Sequence, residues 1–198
     1  SCGHKEEARY STLKFVHPFS ISRQPEPPRT LCSIGIKHKM AEELVVSSWK
    51  HVRAIRNYKE VAGEILFRKI FAAVPPIQDK FSFGKKFQIG AEEMYSDPDF
   101  LRHASNVTNM LDKSISMLTR NLTPLLAILK AMGARHYEYG VLPEHYPVVG
   151  EALIATLSDV LGPRFNEEVK SAWLMIYGLI SSTMLEGAKQ AEASASSG

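Results

Sequence analysis

The sequence predicts an all-α protein, on three observations. From about Lys39 to Ala188, apolar residues recur at intervals of three and four, the spacing of a stripe along one side of a helix. No segment alternates apolar and polar residues with the period of two that a half-buried strand needs. Proline, glycine and capping residues stand where the apolar stripes begin and stop.

The first helix is expected over residues 41–56, where Leu44, Val45, Trp49, Val52 and Ile55/Arg56 form a stripe. A second, over 58–74, carries Val61, Ile65, Leu66, Ile70 and Phe71 on one side and stops at Pro75-Pro76, because proline cannot continue a helix. The same prolines can open a short helix, where a missing N–H costs nothing. The connecting segment DKFSFGKKF then holds Phe81, Phe83 and Phe87, which points to a loop folded over apolar surface. SDPDF (96–100) is a helix start, with Ser96 or Asp97 as cap and Pro98 just inside. The helix places Phe100, His103, Val107, Met110/Leu111 and Ile115 on one face. Thr123 and Pro124 repeat the device for 122–136, where Leu125, Leu129, Met132 and His136 align. A further helix runs from about Glu144 to Leu161 and closes at Gly162. The last starts near Asn166 and turns Trp173, Ile176/Tyr177, Ile180 and Met184 inward.

Residues 39–190 therefore read as one helical domain. Residues 1–38, with scattered prolines and serines and no sustained period, read as a flexible N-terminal extension, and 191–198 as a flexible C-terminal tail. A chain of 198 residues that is 44% hydrophobic and 23% charged can bury a core without staples. Its net charge of +3 is scattered, which argues against a nucleic-acid surface. No apolar run is long enough to span a bilayer. Two cysteines, Cys2 and Cys32, lie outside the expected core and suit a reducing, cytoplasmic setting. A bridge between them is allowed and nothing requires it. Membrane contact would need Cys2 to be acylated, and the N-myristoylation pattern is not met.

His103 and His136 both fall on apolar helical faces. A lone histidine there is more often a core residue bonded to backbone than a ligand. Two on separate helices are different, because they can face one object. No third histidine, cysteine or carboxylate shares their faces, which excludes a bare zinc-type site of three or four ligands. A haem brings four nitrogens of its own and asks the protein for one or two axial ligands and an apolar slot.

The segments SSWKHV (48–53), ILFRKIFAAVPPIQDKF (65–81), RHYEYGVLPEHYPVVGEALI (135–154) and LGPRFNEEVKSAWLMIYGLISSTMLEG (161–187) together resemble a globin, of the neuroglobin and globin X type. The likeness spans about residues 42–188 and rests on the joint spacing of Trp49, Pro75, Phe81, His103, His136 and the AW…YG pair. It implies a globin fold of about eight helices, three over three, around haem b. It also implies roles. His136 is the proximal iron ligand and His103 the distal one. Val107 lies over the iron, Phe81 wedges the porphyrin and Phe67 lines the distal pocket. Val141, Tyr146 and Val149 touch the haem edge. Met132 would offer its carbonyl to the second nitrogen of His136. Lys85, Lys86 and Arg102 are the cations at hand for haem propionates. Arg135 departs from the serine of myoglobins, and the loop after Phe81 lacks the cysteine pair of some neuroglobins.

With Phe67 offering no hydroxyl, His103 is the main polar group on the distal side, and the resemblance implies bis-histidyl coordination. The expected work is O₂ sensing, gas-ligand handling (O₂, CO, NO or nitrite) or one-electron signalling, with the N-terminal extension free to dock a protein partner. Three alternatives stand beside it: a five-coordinate O₂ store, NO dioxygenase or nitrite reductase activity, and a haem-free globin-like interaction protein.

Overall fold

The structure, a computed structural model, describes residues 29–196, with side chains from Lys37 on. Six α-helices carry it: α1 (Arg29–Arg53), α2 (Tyr58–Ala73), α3 (Pro98–Leu118), α4 (Leu122–Glu138), α5 (His145–Leu161) and α6 (Glu167–Ser196). Short 3-10 helices lie at Pro75–Lys80, Gly84–Lys86, Glu92–Ser96 and Gly162–Arg164. No strand occurs among the described residues, and none of their helices is long and apolar enough to cross a membrane.

Most boundaries follow the punctuation. α2 stops ahead of Pro75, and the two prolines open a 3-10 helix. Asp97 caps α3, accepting from the N–H groups of Asp99 at 2.8 Å and Phe100 at 3.2 Å, with Pro98 in the first turn. Gly162, at φ 54°, closes α5 in the left-handed region that glycine tolerates. Asn57, at φ 55°, makes the tight turn between α1 and α2.

Other expectations need correction. α1 begins at Arg29, inside the segment read as an extension, because no proline follows Pro28 to stop helix growing upstream from the packed part. It ends at Arg53, so Ile55 and Arg56 sit in the turn. α6 runs through the expected tail to Ser196, where alanine, glutamate and glutamine hold a helix by propensity alone. Asn121, and not Thr123, caps α4, accepting from the Thr123 N–H at 3.0 Å. Val61 is exposed, and Ala62 and Gly63 take the buried face of α2. The expectations for residues 1–28, the acylation of Cys2 and a Cys2–Cys32 bridge among them, lie outside the described residues.

The closest helix pairs are α4 with α6, α2 with α3, α1 with α6 and α2 with α5. Two of these contacts run backbone against backbone. A Cβ on Gly63 of α2 would stand 2.6 Å from the carbonyl oxygen of Ala104 on α3. A Cβ on Gly133 of α4 would collide with the carbonyl of Met184, and one on Gly187 of α6 with that of Lys130. The α1–α6 seam is closed by Trp49 and Trp173, ring centroids 5.8 Å apart. Trp173 Nε1 donates to Ser48 Oγ at 3.0 Å, and Trp49 Nε1 donates to Asp112 Oδ1 of α3 at 2.7 Å. Trp173 is 1% exposed, so truncating it to alanine leaves a large cavity. We expect Trp173→Ala to cost about 3–5 kcal/mol of stability, read by urea denaturation.

Candidate functional site

α3 carries the first half of the site. Its buried stripe is Phe100, Ala104, Thr108, Ile115 and Leu118, one position round from the stripe expected. Thr108 joins it by turning its hydroxyl back to the Ala104 carbonyl at 3.1 Å. His103 and Val107 are consequently half-buried beside the core stripe and not within it.

The His103 ring meets three phenylalanines. Its centroid lies 5.3 Å from Phe67, 5.1 Å from Phe81 and 5.6 Å from Phe83. Phe81 and Phe83 stack on each other at 5.1 Å, and Phe67 meets Phe81 edge-on at 5.6 Å. Among the described residues His103 has no hydrogen bond, and burial, then the positive charge of His136, lowers its pKa below the ordinary histidine value.

α4 carries the other half. Its buried residues are Leu125, Leu129 and Gly133, with Met132 and His136 half-buried next to them. His136 Nδ1 lies 2.8 Å from the Met132 carbonyl oxygen. A carbonyl only accepts, so Nδ1 carries the hydrogen and Nε2 of a neutral ring keeps its lone pair free. The Val141 N–H donates to the His136 carbonyl at 2.9 Å, folding the segment after α4 back on the histidine.

The remaining expected residues divide. Val107 turns toward a cavity of about 20 Å³ that it lines with Trp49, Leu66 and Leu153. Val141 and Val149 are half-buried. Tyr146 is 7% exposed, and its hydroxyl is buried without a hydrogen-bond partner among the described residues. Its backbone carbonyl accepts from the Tyr177 hydroxyl. Phe83 belongs to the wall around His103 and Phe100 backs it, although neither is among the site residues expected. The signal for Phe83 was the run of three phenylalanines in a connecting segment.

Two of the cations expected for propionates are engaged elsewhere. Lys86 Nζ lies 2.6 Å from Asp99 and 3.3 Å from Asp97, and Arg102 lies 2.6 Å from Asp99. The Lys86 hydrogen bond, with that of Arg102, pulls the Asp99 pKa down. Partial burial pushes Asp97 up, but the N–H groups of Asp99 and Phe100 and the Lys86 ammonium outweigh it, and its pKa falls. Carboxylates with lowered folded pKa values stabilise the fold above the unfolded value of about 4, and that stability is lost as pH falls through the folded values. Lys86→Met should therefore be less stable than the parent at neutral pH, with the gap closing below about pH 4. Denaturation midpoints of the two chains across pH 2–7 check this, and His103, common to both, cancels.

The donor set decides what the site can hold. Among the described residues no three histidine, cysteine or acidic side chains gather as metal ligands. One imidazole among phenylalanines and a second with its Nε2 free fit an iron that already carries its equatorial nitrogens, and they do not fit a bare cation.

Comparison with known proteins agrees with this geometry. Residues 64–184 match the globin family. The chain is 31% identical over 144 residues to neuroglobin of Danio rerio, covering 73% of this chain and 87% of that one. It is 30% identical over 146 residues to neuroglobin of Tetraodon nigroviridis, covering 74% and 89%. In fold it is similar to the crystal structure, at pH 4, of a hexacoordinated haem protein from an anhydrobiotic tardigrade. The TM-score is 0.66 at 22% identity, over 75% of this chain and 93% of that one. With six helices packed as described and the match running from α2 into α6, the chain belongs to the globin family.

Proposed function

We propose that this globin holds haem b between His136 and His103, with both imidazoles as axial ligands when no gas is present. One observation carries the reading: His136 is fixed by the Met132 carbonyl with Nε2 free, while His103 stands among phenylalanines and its ring makes no hydrogen bond among the described residues. The similarity to two fish neuroglobins supports it, as does the shared fold with a haem protein described as hexacoordinated. Bound there, the haem supplies an iron able to change by one electron and to take O₂, CO, NO or nitrite.

The chain's own residues set the terms. Met132 holds the proximal ring in one tautomer and one orientation. Phe67, Phe81 and Phe83 exclude water from the distal side, and Phe67 brings no hydroxyl to it. His103 is the polar group left to compete with an incoming ligand or to donate to it. Two fixed imidazoles favour electron exchange, because neither oxidation state demands a large ligand movement. We infer a sensor, a gas handler or a one-electron carrier in the cytoplasm, with the N-terminal extension as the segment that docks a protein partner.

Visible spectra of the purified full chain, reduced and free of gas, test the reading. Sharp low-spin bands are expected for the parent, and a five-coordinate high-spin spectrum for His103→Ala. A broad high-spin spectrum in the parent would favour a five-coordinate O₂ store. No Soret band after haem addition would favour a haem-free interaction protein.

A further inference from the structure

Gln78 is a polar side chain buried to 0% exposure in the 3-10 helix that follows α2. Its side-chain hydrogen bonds all go to backbone groups. Its amide nitrogen donates to three carbonyls of the next loop, those of Gly84 at 3.0 Å, Phe87 at 3.2 Å and Gln88 at 3.3 Å. Its amide oxygen accepts from the Gly90 N–H at 3.2 Å. The main chain joins in. The Phe81 N–H donates to the Gln78 carbonyl at 3.1 Å, and a Cβ on Gly84 would collide with that same carbonyl. One residue thus gathers the whole excursion from Phe81 to Gly90, which has little regular structure of its own to fix it.

That excursion carries two of the three rings against His103. Phe83 directly precedes Gly84, is 3% exposed, and stacks on Phe81 with an interplanar angle of 21°. It is braced from behind by Phe100, edge-on at 5.5 Å. Any movement of the His103 ring toward this loop must displace Phe81 or Phe83. How easily they yield depends on how firmly their loop is tied.

We propose that Gln78 is a positioning residue for His103, and that its tether sets the rate at which this imidazole gives up its axial place to an incoming ligand. The inference rests on the bis-histidyl reading above. An apolar side chain in place of this buried glutamine would leave the Phe87 carbonyl and the Gly90 N–H without a partner, while the Gly84 and Gln88 carbonyls would keep the N–H groups of Phe87 and Ala91. The loop then loosens, Phe83 gains room, and His103 leaves more readily. An aromatic wall packed without Gln78 would give a different result, with the phenylalanines holding the ring whatever the loop does.

The test uses the haem-loaded full chain. CO binding to the reduced protein is followed by rapid mixing. At high CO the observed rate levels off at the departure rate of His103. In Gln78→Leu that plateau is expected to rise roughly tenfold, the scale of one or two lost net hydrogen bonds. Hydrogen exchange at the Gly90 amide should lose its protection in the same variant. Val45→Ala, a core truncation in α1 at 0% exposure, should lower the unfolding midpoint and leave the plateau alone. If Gln78→Leu does not accumulate as folded protein, Gly90→Ala takes its place, since φ 83° strains any side chain at the far end of the same network. A risen plateau in whichever variant folds supports the proposal. An unchanged plateau overturns it, whether or not Gly90 has lost protection. A parent without low-spin bands overturns the bis-histidyl reading and this inference together, so the two failures are told apart by the parent spectrum.

Discussion

His136→Gly is expected to retain haem at least about 100-fold more weakly than the parent, because the proximal imidazole is the strongest bond the chain offers the iron and even losing a ligand's outer partner costs 10–100-fold. On the function proposed above, His136 is the proximal residue. Its Nδ1 is held on the Met132 carbonyl, whereas His103 has no hydrogen bond to orient it. An oriented ring retains its cofactor and an unoriented one exchanges. Free imidazole added to His136→Gly should restore the Soret band, since the glycine leaves room for it. Haem titration followed at the Soret band gives the affinity ratio. Full retention by His136→Gly, with loss in His103→Gly, would reverse the two assignments.

The second large effect concerns the helix that carries this histidine. Gly133→Val is expected to destabilise the fold by about 3 kcal/mol, the upper end for inserting methyl groups where packing is complete. A side chain there meets the Met184 backbone, which cannot rotate aside as a flexible side chain can. Gly187 makes the reciprocal contact on the Lys130 backbone, so α4 is held on α6 from both sides of the crossing. Either glycine enlarged should lift α4 off α6 and carry His136 with it. Denaturation of Gly133→Val measures the cost. If it matched the parent, the crossing would be looser than these contacts allow.

Much of the fold was legible because its boundaries are written in residues whose backbone chemistry is restrictive. Pro75 ends α2, Asp97 and Pro98 start α3, and Gly162 ends α5. Elsewhere the boundaries are harder to read. The start of α1 at Arg29 does follow Pro27 and Pro28, but no sustained apolar period points to a helix there, and nothing marks Ser196 as the end of α6, where exposed residues hold the helix by propensity. The stripe on α3 was read one position off, since Thr108 is buried by satisfying its own hydroxyl, which a hydrophobic pattern cannot foresee. His103 and His136 could be singled out because helical spacing places them. Gln78 could not, because a side chain that serves the backbone of a loop has no period, and its partners are peptide groups that every residue carries. The two close glycines of the α4–α6 crossing were invisible for a related reason. A missing Cβ matters only once the facing backbone is known.

The chain's two tryptophans share a single seam, since Trp49 and Trp173 are the whole indole content of the sequence and their rings are 5.8 Å apart. Ultraviolet emission from this molecule therefore has one address. It registers the parting of α1 from α6, and a rearrangement confined to the loop over His103 would pass unnoticed in it. Fluorescence of the haem-free chain, followed through denaturation, would time the opening of this one seam.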